Sequence, residues 1–358
     1  MATMNFKESD RLPFCEFLGF WPSTCNRWYR EGLPIDLPVN DYFGFDNIRR
    51  LEIDLDFGPI PRFVKRTLSE DEEAEIIIDE MGIKKKVKKR GYSSSKGPGL
   101  TIPQFLEFPV KNMEDFETMK KRFDPYNSLR YPPDWSEEFI EYCETVDVPV
   151  RIKIPGFFGK ARDFMGLENL LKAFYTDPEL VHEIMSFWSW FTIETLRKAV
   201  ENCRVDYATF WEDMAYKHGP HISPRLFREF MLPHYKKVTN FLKKNGVNII
   251  MVDSDGNINA LVPLWLEGGV NCLYPLEVAA GVDAPSLRKT YGRRLRLIGN
   301  VDKRALIKGK AAIKKEVESK IPYLKETGGY IPSVDHLVPV DVPFENYRYY
   351  IQLLKELL

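Results

Sequence analysis

Hydrophobic residues recur along this chain as short runs that end at glycine, proline or acidic residues. In residues 148–358 six such runs follow one another, and a helical pattern follows each run. Repeated strand–helix units of this kind predict a parallel sheet with helices packed against it. The predicted strands cover residues 150–154, 205–211, 247–252, 270–274, 295–298 and 329–331.

The more divergent N-terminal part, residues 1–147, supplies two further candidate strands. Residues 12–20 form an apolar run before a Trp-Pro-Ser-Thr loop, and residues 51–57 alternate apolar and acidic positions. Eight strands are the number that closes a (β/α)8 barrel. We therefore predict an α/β protein with one distorted TIM-type barrel domain over residues 1–358, carrying an N-terminal hairpin and extra loops.

The hairpin is predicted near residues 75–91, where two β-prone runs flank Glu80-Met81-Gly82. The second run is rich in lysine, including Lys84, Lys85 and Lys86, and lysines on a strand are typical of a solvated edge that avoids further pairing. The serine- and glycine-rich residues 93–99 predict a mobile loop.

Two carboxylates, Asp253 and Asp255, directly follow the strand at residues 247–252. Because side chains alternate along a strand, both are expected on the same side, and Gly256 allows a sharp turn beyond them. Two like charges at one strand end need a cation, a proton or hydrogen-bond donors between them. The alternative interpretation is that they cap the helix that follows.

The other predicted strands also end in polar or aromatic residues. In a TIM-type barrel the loops after the strands meet at one mouth, so these residues are expected to converge there. We predict His336, Glu212 and Asp255 as catalytic residues. The predicted substrate-binding residues are Trp21, Arg27, Phe157, Trp211, Tyr274, Glu277 and Asn300, although aromatic residues at strand ends also occur as core.

Composition narrows the function further. Hydrophobic residues make up 44% of the chain, and 51 basic against 52 acidic side chains give a formal net charge of −1. This balance argues against nucleic acid as the main partner and favours a small-molecule substrate. The five cysteines form no CxxC pair, and no apolar run approaches the length of a membrane span. A cytoplasmic protein with reduced thiols is expected; the oligomeric state is left open.

Several segments of the C-terminal part resemble a known family. They begin at Ile222 and read ISPRLFREFMLPHYKKVTNFL, GVNIIMVDSDGN, GGVNCLYPLEV, LRLIGNVDKRAL and GGYIPSVDHLVPVDVPFENYRYYIQLLKEL. Together they resemble the C-terminal half of the uroporphyrinogen decarboxylase (URO-D) superfamily. That superfamily contains the decarboxylase and cobalamin-dependent methyltransferases. The resemblance implies a distorted (β/α)8 barrel with its site in the mouth, in agreement with the strand pattern.

The resemblance is closer to the methyltransferase branch than to the decarboxylase. Decarboxylases carry an LRQAGRY-type segment that binds the porphyrin carboxylates, whereas the corresponding region here reads LGFWPSTCNRWYREGLP. Only Arg27 and Arg30 are available there, too few for eight substrate carboxylates. We therefore predict no turnover of uroporphyrinogen.

In the methyltransferase branch, a His-x-Cys pair and a distant Cys bind zinc. Asp253, Asp255 and His336 occupy those positions here, which implies an oxygen-rich site for a divalent ion, with Zn²⁺ expected and Glu212, Glu277 or Cys272 as a further ligand. The resemblance thus implies a corrinoid-linked methyltransferase that demethylates a small methylated compound, for example a methoxylated one. The corrinoid would be carried by a partner protein.

Three alternatives remain open. The chain is a carboxy-lyase acting on a tetrapyrrole or another carboxylate, or it is a non-catalytic barrel that binds a tetrapyrrole or corrinoid. In the third, no metal is present, Asp253 and Asp255 bind substrate hydroxyls, and His336 acts as a general acid near pH 7.

Overall fold

The computed structural model describes residues 1–46, 50–89 and 102–358. The strands in this part of the chain are β1 Leu51–Glu52, β2 Arg66–Glu70, β3 Ala74–Ile78, β4 Lys84–Lys88, β5 Gln104–Glu107, β6 Val150–Pro155, β7 Tyr207–Trp211, β8 Ala215–Tyr216, β9 Gly219–Pro220, β10 Ile249–Asp253, β11 Cys272–Tyr274, β12 Arg296–Ile298 and β13 Tyr330–Ile331.

The α-helices in the same ranges are α1 Pro22–Arg30, α2 Val39–Phe43, α3 Met113–Lys120, α4 Glu137–Thr145, α5 Phe157–Met165, α6 Leu167–Thr176, α7 Pro178–Asn202, α8 Pro224–Leu226, α9 Leu232–Lys244, α10 Val262–Glu267, α11 Ala284–Tyr291, α12 Lys303–Lys308, α13 Lys310–Thr327 and α14 Phe344–Leu357. Among these described helices, none has both the length and the apolar character needed to cross a membrane.

Seven parallel strands form one curled sheet in the order β1-β6-β7-β10-β11-β12-β13. Alternate residues of each strand face opposite sides. One set, including Met251, Cys272 and Ile298, packs inside the curl, while Ile250 and Leu273 join the larger core beneath the helices. The predicted distorted TIM-type α/β barrel is confirmed, with seven strands hydrogen-bonded in sequence.

The strand predicted at residues 12–20 is wrong. The Phe17 amide donates to Ser333, just after β13. Within the described part of the chain, the ladder contact of this segment is one isolated parallel bridge between Phe20 and Val338. Pro13 has no backbone N–H to donate, and the amide of Phe14 donates to the Asp46 carboxylate at 2.7 Å. Because side-chain acceptors on Asp46 and Ser333 take the amides of Phe14 and Phe17, the segment does not form a regular strand.

A separate four-stranded antiparallel sheet has the order β2-β3-β4-β5. The pairing of β3 with β4 confirms the predicted hairpin in the described residues; residues 90–91 and the loop predicted at 93–99 lie outside them. The lysine-rich strand is not an edge, because β5 pairs with its other side. Lys84 and Lys85 are instead neutralised by Glu107 at 2.6 Å and Asp79 at 2.7 Å.

Candidate active site

A cavity of about 610 Å³ opens at the carboxyl ends of the parallel strands. Residues at the ends of β6, β7, β10 and β11 form its floor, while the segment after β1, the turn between β3 and β4, and helix α5 form its sides. This volume suits a small organic molecule. The cavity wall carries three cationic side chains and three carboxylates: Arg62, Lys153, Lys160, Glu80, Asp163 and Asp253.

Asp253, the last residue of β10, lines this cavity. Burial raises the pKa of its carboxyl to about 7, and repulsion from Asp255 adds to the rise. The neighbouring Tyr274 hydroxyl opposes the rise by hydrogen bonding to the carboxylate form. Asp253 therefore changes protonation state near neutral pH, which suits a group that donates or accepts a proton during a reaction.

Asp255 faces His336 at the rim of the barrel mouth. The two side chains are 3.4 Å apart between His336 Nε2 and Asp255 Oδ2, and this carboxylate raises the pKa of His336 by stabilising the imidazolium. The ring of Trp21 stacks on the imidazole with 6.4 Å between centroids. Gly256 turns the chain as predicted, with φ +81°, and a Cβ there would lie 2.6 Å from the carbonyl carbon of Ala215.

Glu277 holds the turn that follows β10. Its Oε2 accepts a hydrogen bond from the Gly256 amide at 3.0 Å, and its Oε1 pairs with Lys303 Nζ at 3.0 Å. Lys303 also lies 3.8 Å from the fully buried carboxylate of Asp335. Glu277 thus supports the position of Asp255, and its contact with a substrate stays a prediction.

Glu212 lies beneath the site and outside the cavity wall. It is fully buried and accepts hydrogen bonds from the amides of Phe157, Phe158 and Gly159 at 2.7, 2.8 and 3.1 Å, together with the Tyr235 hydroxyl. These amides begin helix α5, whose N-terminus favours a negative charge. The surroundings make Glu212 an anchor for α5, and its catalytic role stays a prediction that this environment does not favour.

Three other predicted residues lie away from the cavity. Arg27 pairs with Glu31 at 2.6 Å and donates to the Val340 carbonyl at 2.8 Å. Phe157 is buried against the ring of Tyr235, 5.0 Å between centroids. Asn300 is fully buried, and its side-chain amide hydrogen-bonds main-chain groups of Leu276, Val282 and Ala284. Of the predicted substrate-binding residues, Trp211 and Tyr274 line the cavity.

The cationic part of the site differs from the sequence prediction. Arg27 and Arg30 were the expected positive groups, but Arg62, Lys153 and Lys160 lie on the cavity wall instead. Lys160 could have been identified from the sequence, because it is a charged residue that interrupts the apolar face of α5. No comparable pattern marked Arg62, which reaches the cavity from a proline-rich loop.

The predicted metal ligands do not form a metal centre. Within the described ranges there is no group of three His, Cys, Asp or Glu side chains that could hold an ion. Asp255 faces His336, whereas the carboxylate of Asp253 is hydrogen-bonded by Tyr274. Cys272 is fully buried inside the barrel, where burial raises the pKa of its thiol. Because these side chains do not meet as a set of three ligands in the described residues, the zinc site stays a prediction, and metal analysis of the purified protein tests it.

The fold and the cavity together define a class. A TIM-type barrel with titratable and charged side chains around a pocket at the carboxyl ends of its strands is the architecture of an enzyme that acts on a small molecule.

Comparison with known proteins identifies the family. The family model described as "Uroporphyrinogen decarboxylase (URO-D)" matches residues 94–357. The chain belongs to the URO-D family.

Its relatives are distant. The uroporphyrinogen decarboxylase of Legionella pneumophila (strain Lens) is 27% identical over 209 residues, 56% of this chain and 53% of the relative. The chain therefore spans about half the length of that relative. The uroporphyrinogen decarboxylase of Campylobacter jejuni subsp. jejuni is 24% identical over 275 residues, 74% of each chain. A solved structure, "methyltransferase from Methanosarcina mazei", shares the fold with a TM-score of 0.56 and 16% identity, covering 99% of this chain and 96% of that one.

Proposed function

We propose that the protein removes a methyl group from a small molecule held in the mouth cavity, with Asp253 as the general acid. In this proposal the acceptor is a corrinoid carried by a partner protein. The single observation that carries the acid–base part is the position of Asp253, a cavity carboxyl whose pKa is raised to about 7. The methyl-transfer part is supported by the fold that this chain shares with the Methanosarcina methyltransferase. At 16% identity, this similarity concerns the fold alone.

The proposed step breaks the carbon–oxygen bond of a methoxy group. The bonding electrons stay on oxygen, and Asp253 supplies the proton that converts the leaving group into a hydroxyl. A corrinoid, when bound, supplies the nucleophile that accepts the methyl group. Trp211 lines the cavity and is 41% exposed, so solvent reaches this part of the cavity wall.

His336 has a secondary part in this mechanism. The Asp255 carboxylate favours the charged imidazolium of His336, and that positive charge in turn favours the ionised form of Asp253. After Asp253 has given up its proton, His336 therefore stabilises the carboxylate left behind.

The proposal is tested by incubating the full chain anaerobically with cob(I)alamin and 4-methoxybenzoate. Formation of methylcobalamin and 4-hydroxybenzoate is followed by absorbance and chromatography. The expected result is turnover that falls roughly 10²- to 10⁴-fold in Asp253→Asn, the usual contribution of a general acid. The control is Glu168→Gln, on an exposed surface of α6 where the carboxylate pairs with Lys172. Absence of methylcobalamin with 4-methoxybenzoate, 4-methoxyphenol and methoxyacetate contradicts the proposal.

A second candidate is decarboxylation, and one cationic side chain on the cavity wall favours it. Lys160 suits a substrate carboxylate, and a protonated Asp253 suits protonation of the carbon left when CO₂ departs. Uroporphyrinogen itself is disfavoured, because three cations shared with three carboxylates cannot neutralise eight acidic groups. Conversion of uroporphyrinogen to coproporphyrinogen by the purified chain would overturn that exclusion.

A further inference from the structure

Lys160 is a buried lysine on helix α5 that reaches the mouth cavity. Its side chain is 3% exposed and lines the cavity. Three aromatic rings surround its ammonium group: Nζ lies 5.3 Å from the ring centre of Phe123, 5.1 Å from Phe164 and 5.1 Å from Trp188. Aromatic faces attract a cation, but they do not replace a hydrogen-bond acceptor for each N–H.

Lys160 has no such acceptor in residues 1–46, 50–89 and 102–358. Asp163, one turn further along α5, interacts with it electrostatically without forming a hydrogen bond or an ion pair. Burial lowers the pKa of Lys160 to about 8, so the ammonium form still prevails at neutral pH. A buried charge without partners is costly, and the cavity is the side from which a partner can arrive.

Each of the other two cations on the cavity wall already has a carboxylate partner. Arg62 Nη2 donates to both carboxylate oxygens of Asp56, at 2.9 and 2.8 Å. Lys153 Nζ lies 3.2 Å from a carboxylate oxygen of Glu52, which also pairs with Arg151. In the described residues Lys160 is the cation of this wall without a carboxylate at ion-pair distance, so it offers one free ammonium group to a ligand with a single negative charge.

The rest of the wall is apolar. Leu55, Phe57, Met81 and the ring of Trp211 line the same cavity as Lys160. A small molecule that fills it therefore needs an apolar body as well as one anionic group.

We infer that the mouth cavity binds a small monocarboxylic acid with an apolar body, and that Lys160 is the residue that binds its carboxylate. The inference rests on the proposed function only for the location of the substrate site. It names the substrate class: one carboxylate on an aromatic or aliphatic body. A charge-assisted hydrogen bond from Lys160 to this carboxylate supplies the missing acceptor.

The test is equilibrium binding to the full chain, measured by calorimetry without any methyl acceptor. The probes are 4-methoxybenzoate and its neutral analogue 4-methoxybenzamide. We expect the acid to bind roughly ten- to hundredfold more tightly than the amide, the usual contribution of a hydrogen bond to a charged group. Because no turnover is needed, failure of methyl transfer leaves this result unaffected, and equal affinities overturn the inference even if turnover is found.

Two matched variants locate the effect. Lys160→Met is expected to remove the preference for the acid, whereas Lys153→Met, which also removes an ammonium group from the cavity wall, is expected to keep it. Thermal unfolding and circular dichroism establish that both variants are folded. If Lys160→Met fails to fold, Lys160→Arg replaces it and is expected to retain the preference while changing its pH dependence. A preference that survives in a folded Lys160→Met protein overturns the inference.

The pH dependence gives an independent readout. Asp163, Asp56, Arg62 and Arg130 are the charged groups that influence Lys160. Asp253 titrates in the same cavity, so the measurement uses the Asp253→Asn background. There, affinity for 4-methoxybenzoate is expected to fall as pH rises above about 8, and to be constant over the same range in Lys160→Arg.

Two further probes separate other ligand classes. If phenyl phosphate binds more tightly than 4-methoxybenzoate and this binding depends on Lys160, the ligand of the cavity is a phosphate and not a carboxylate. Stoichiometric borohydride trapping of 4-methoxybenzaldehyde at Lys160, together with equal binding of acid and amide, would make Lys160 an imine-forming residue. Either result overturns the assignment of a carboxylate.

Discussion

Asp255 influences two titrations, because it lies beside both His336 and Asp253. Its negative charge raises the pKa of the imidazole by favouring the protonated form, and raises the pKa of Asp253 by repulsion. Asp255→Asn is therefore expected to lower the pKa of His336. The measurement is an NMR titration of the five histidines of the chain.

The control for this titration is Glu168→Gln, whose exposed carboxylate lies on α6 and pairs with Lys172. It is expected to leave the His336 titration unchanged. A His336 pKa that stays constant in Asp255→Asn would show that the two side chains do not interact in solution.

At this scale the sequence predicted some contacts and missed others for identifiable reasons. The order of the barrel strands was sufficient to predict that His336 and Asp255 lie close together, and their side chains are 3.4 Å apart. Glu212 shows the limit of this approach. Its partners are main-chain amides at the start of α5, and sequence patterns do not reveal which carboxylate those amides select.

The start of helix α5 positions two cavity residues, Lys160 and Asp163, and Glu212 fixes that start. Gly156 is required because a Cβ at this position would collide with the Glu212 carboxyl group. Gly156→Ala is expected to lower the free energy of unfolding by about 1 to 3 kcal/mol, since it displaces a buried acceptor from its donors. Urea unfolding measures the change.

Glu212→Gln separates the anchoring role from a catalytic one. If Glu212 only holds α5, this variant is less stable and keeps the pH profile of activity of the native protein. Altered pH dependence with unchanged stability would restore Glu212 as a catalytic residue.

At the scale of elements, apolar runs located the seven strands of the sheet but did not identify the irregular segment. Residues 12–20 have a strand-like pattern, yet Pro13 and the acceptors on Asp46 and Ser333 divert the backbone hydrogen bonds. The antiparallel sheet was predicted only as a hairpin, because its outer strands β2 and β5 are exposed along their length and show no apolar alternation.

The whole molecule contains buried acids that make its stability depend on pH. Burial raises the pKa of Glu16 to about 7, although Ser333, Tyr347 and the Val334 amide hydrogen-bond to it; Asp253 has a similar value. When an acid has a higher pKa in the folded than in the unfolded state, it contributes to stability. This contribution is fully present below the unfolded-state pKa and is lost as pH rises through the folded-state pKa. For these two acids that window runs from about pH 4 to about pH 7.

Urea unfolding is therefore expected to show a decrease in stability between about pH 4 and pH 7, on the order of a few kcal/mol. Glu16→Gln is expected to have a smaller decrease. His234 makes stability rise with pH, because burial lowers its pKa to about 4. This effect is the same in the native protein and in Glu16→Gln, so it cancels when the two are compared. An equal pH dependence in the two proteins would contradict a raised pKa at Glu16.

The pH–rate profile of methyl transfer from 4-methoxybenzoate to cob(I)alamin tests the central claim, that Asp253 is the acid of a small-molecule site at the barrel mouth. Because the protonated carboxyl is the active form, the rate of the native protein is expected to be constant at low pH and to fall about tenfold per unit above pH 7. Asp253→Asn is expected to be slow at every pH. A rate that does not change between about pH 6 and pH 8.5, or an Asp253→Asn protein as active as the native one, would contradict the account.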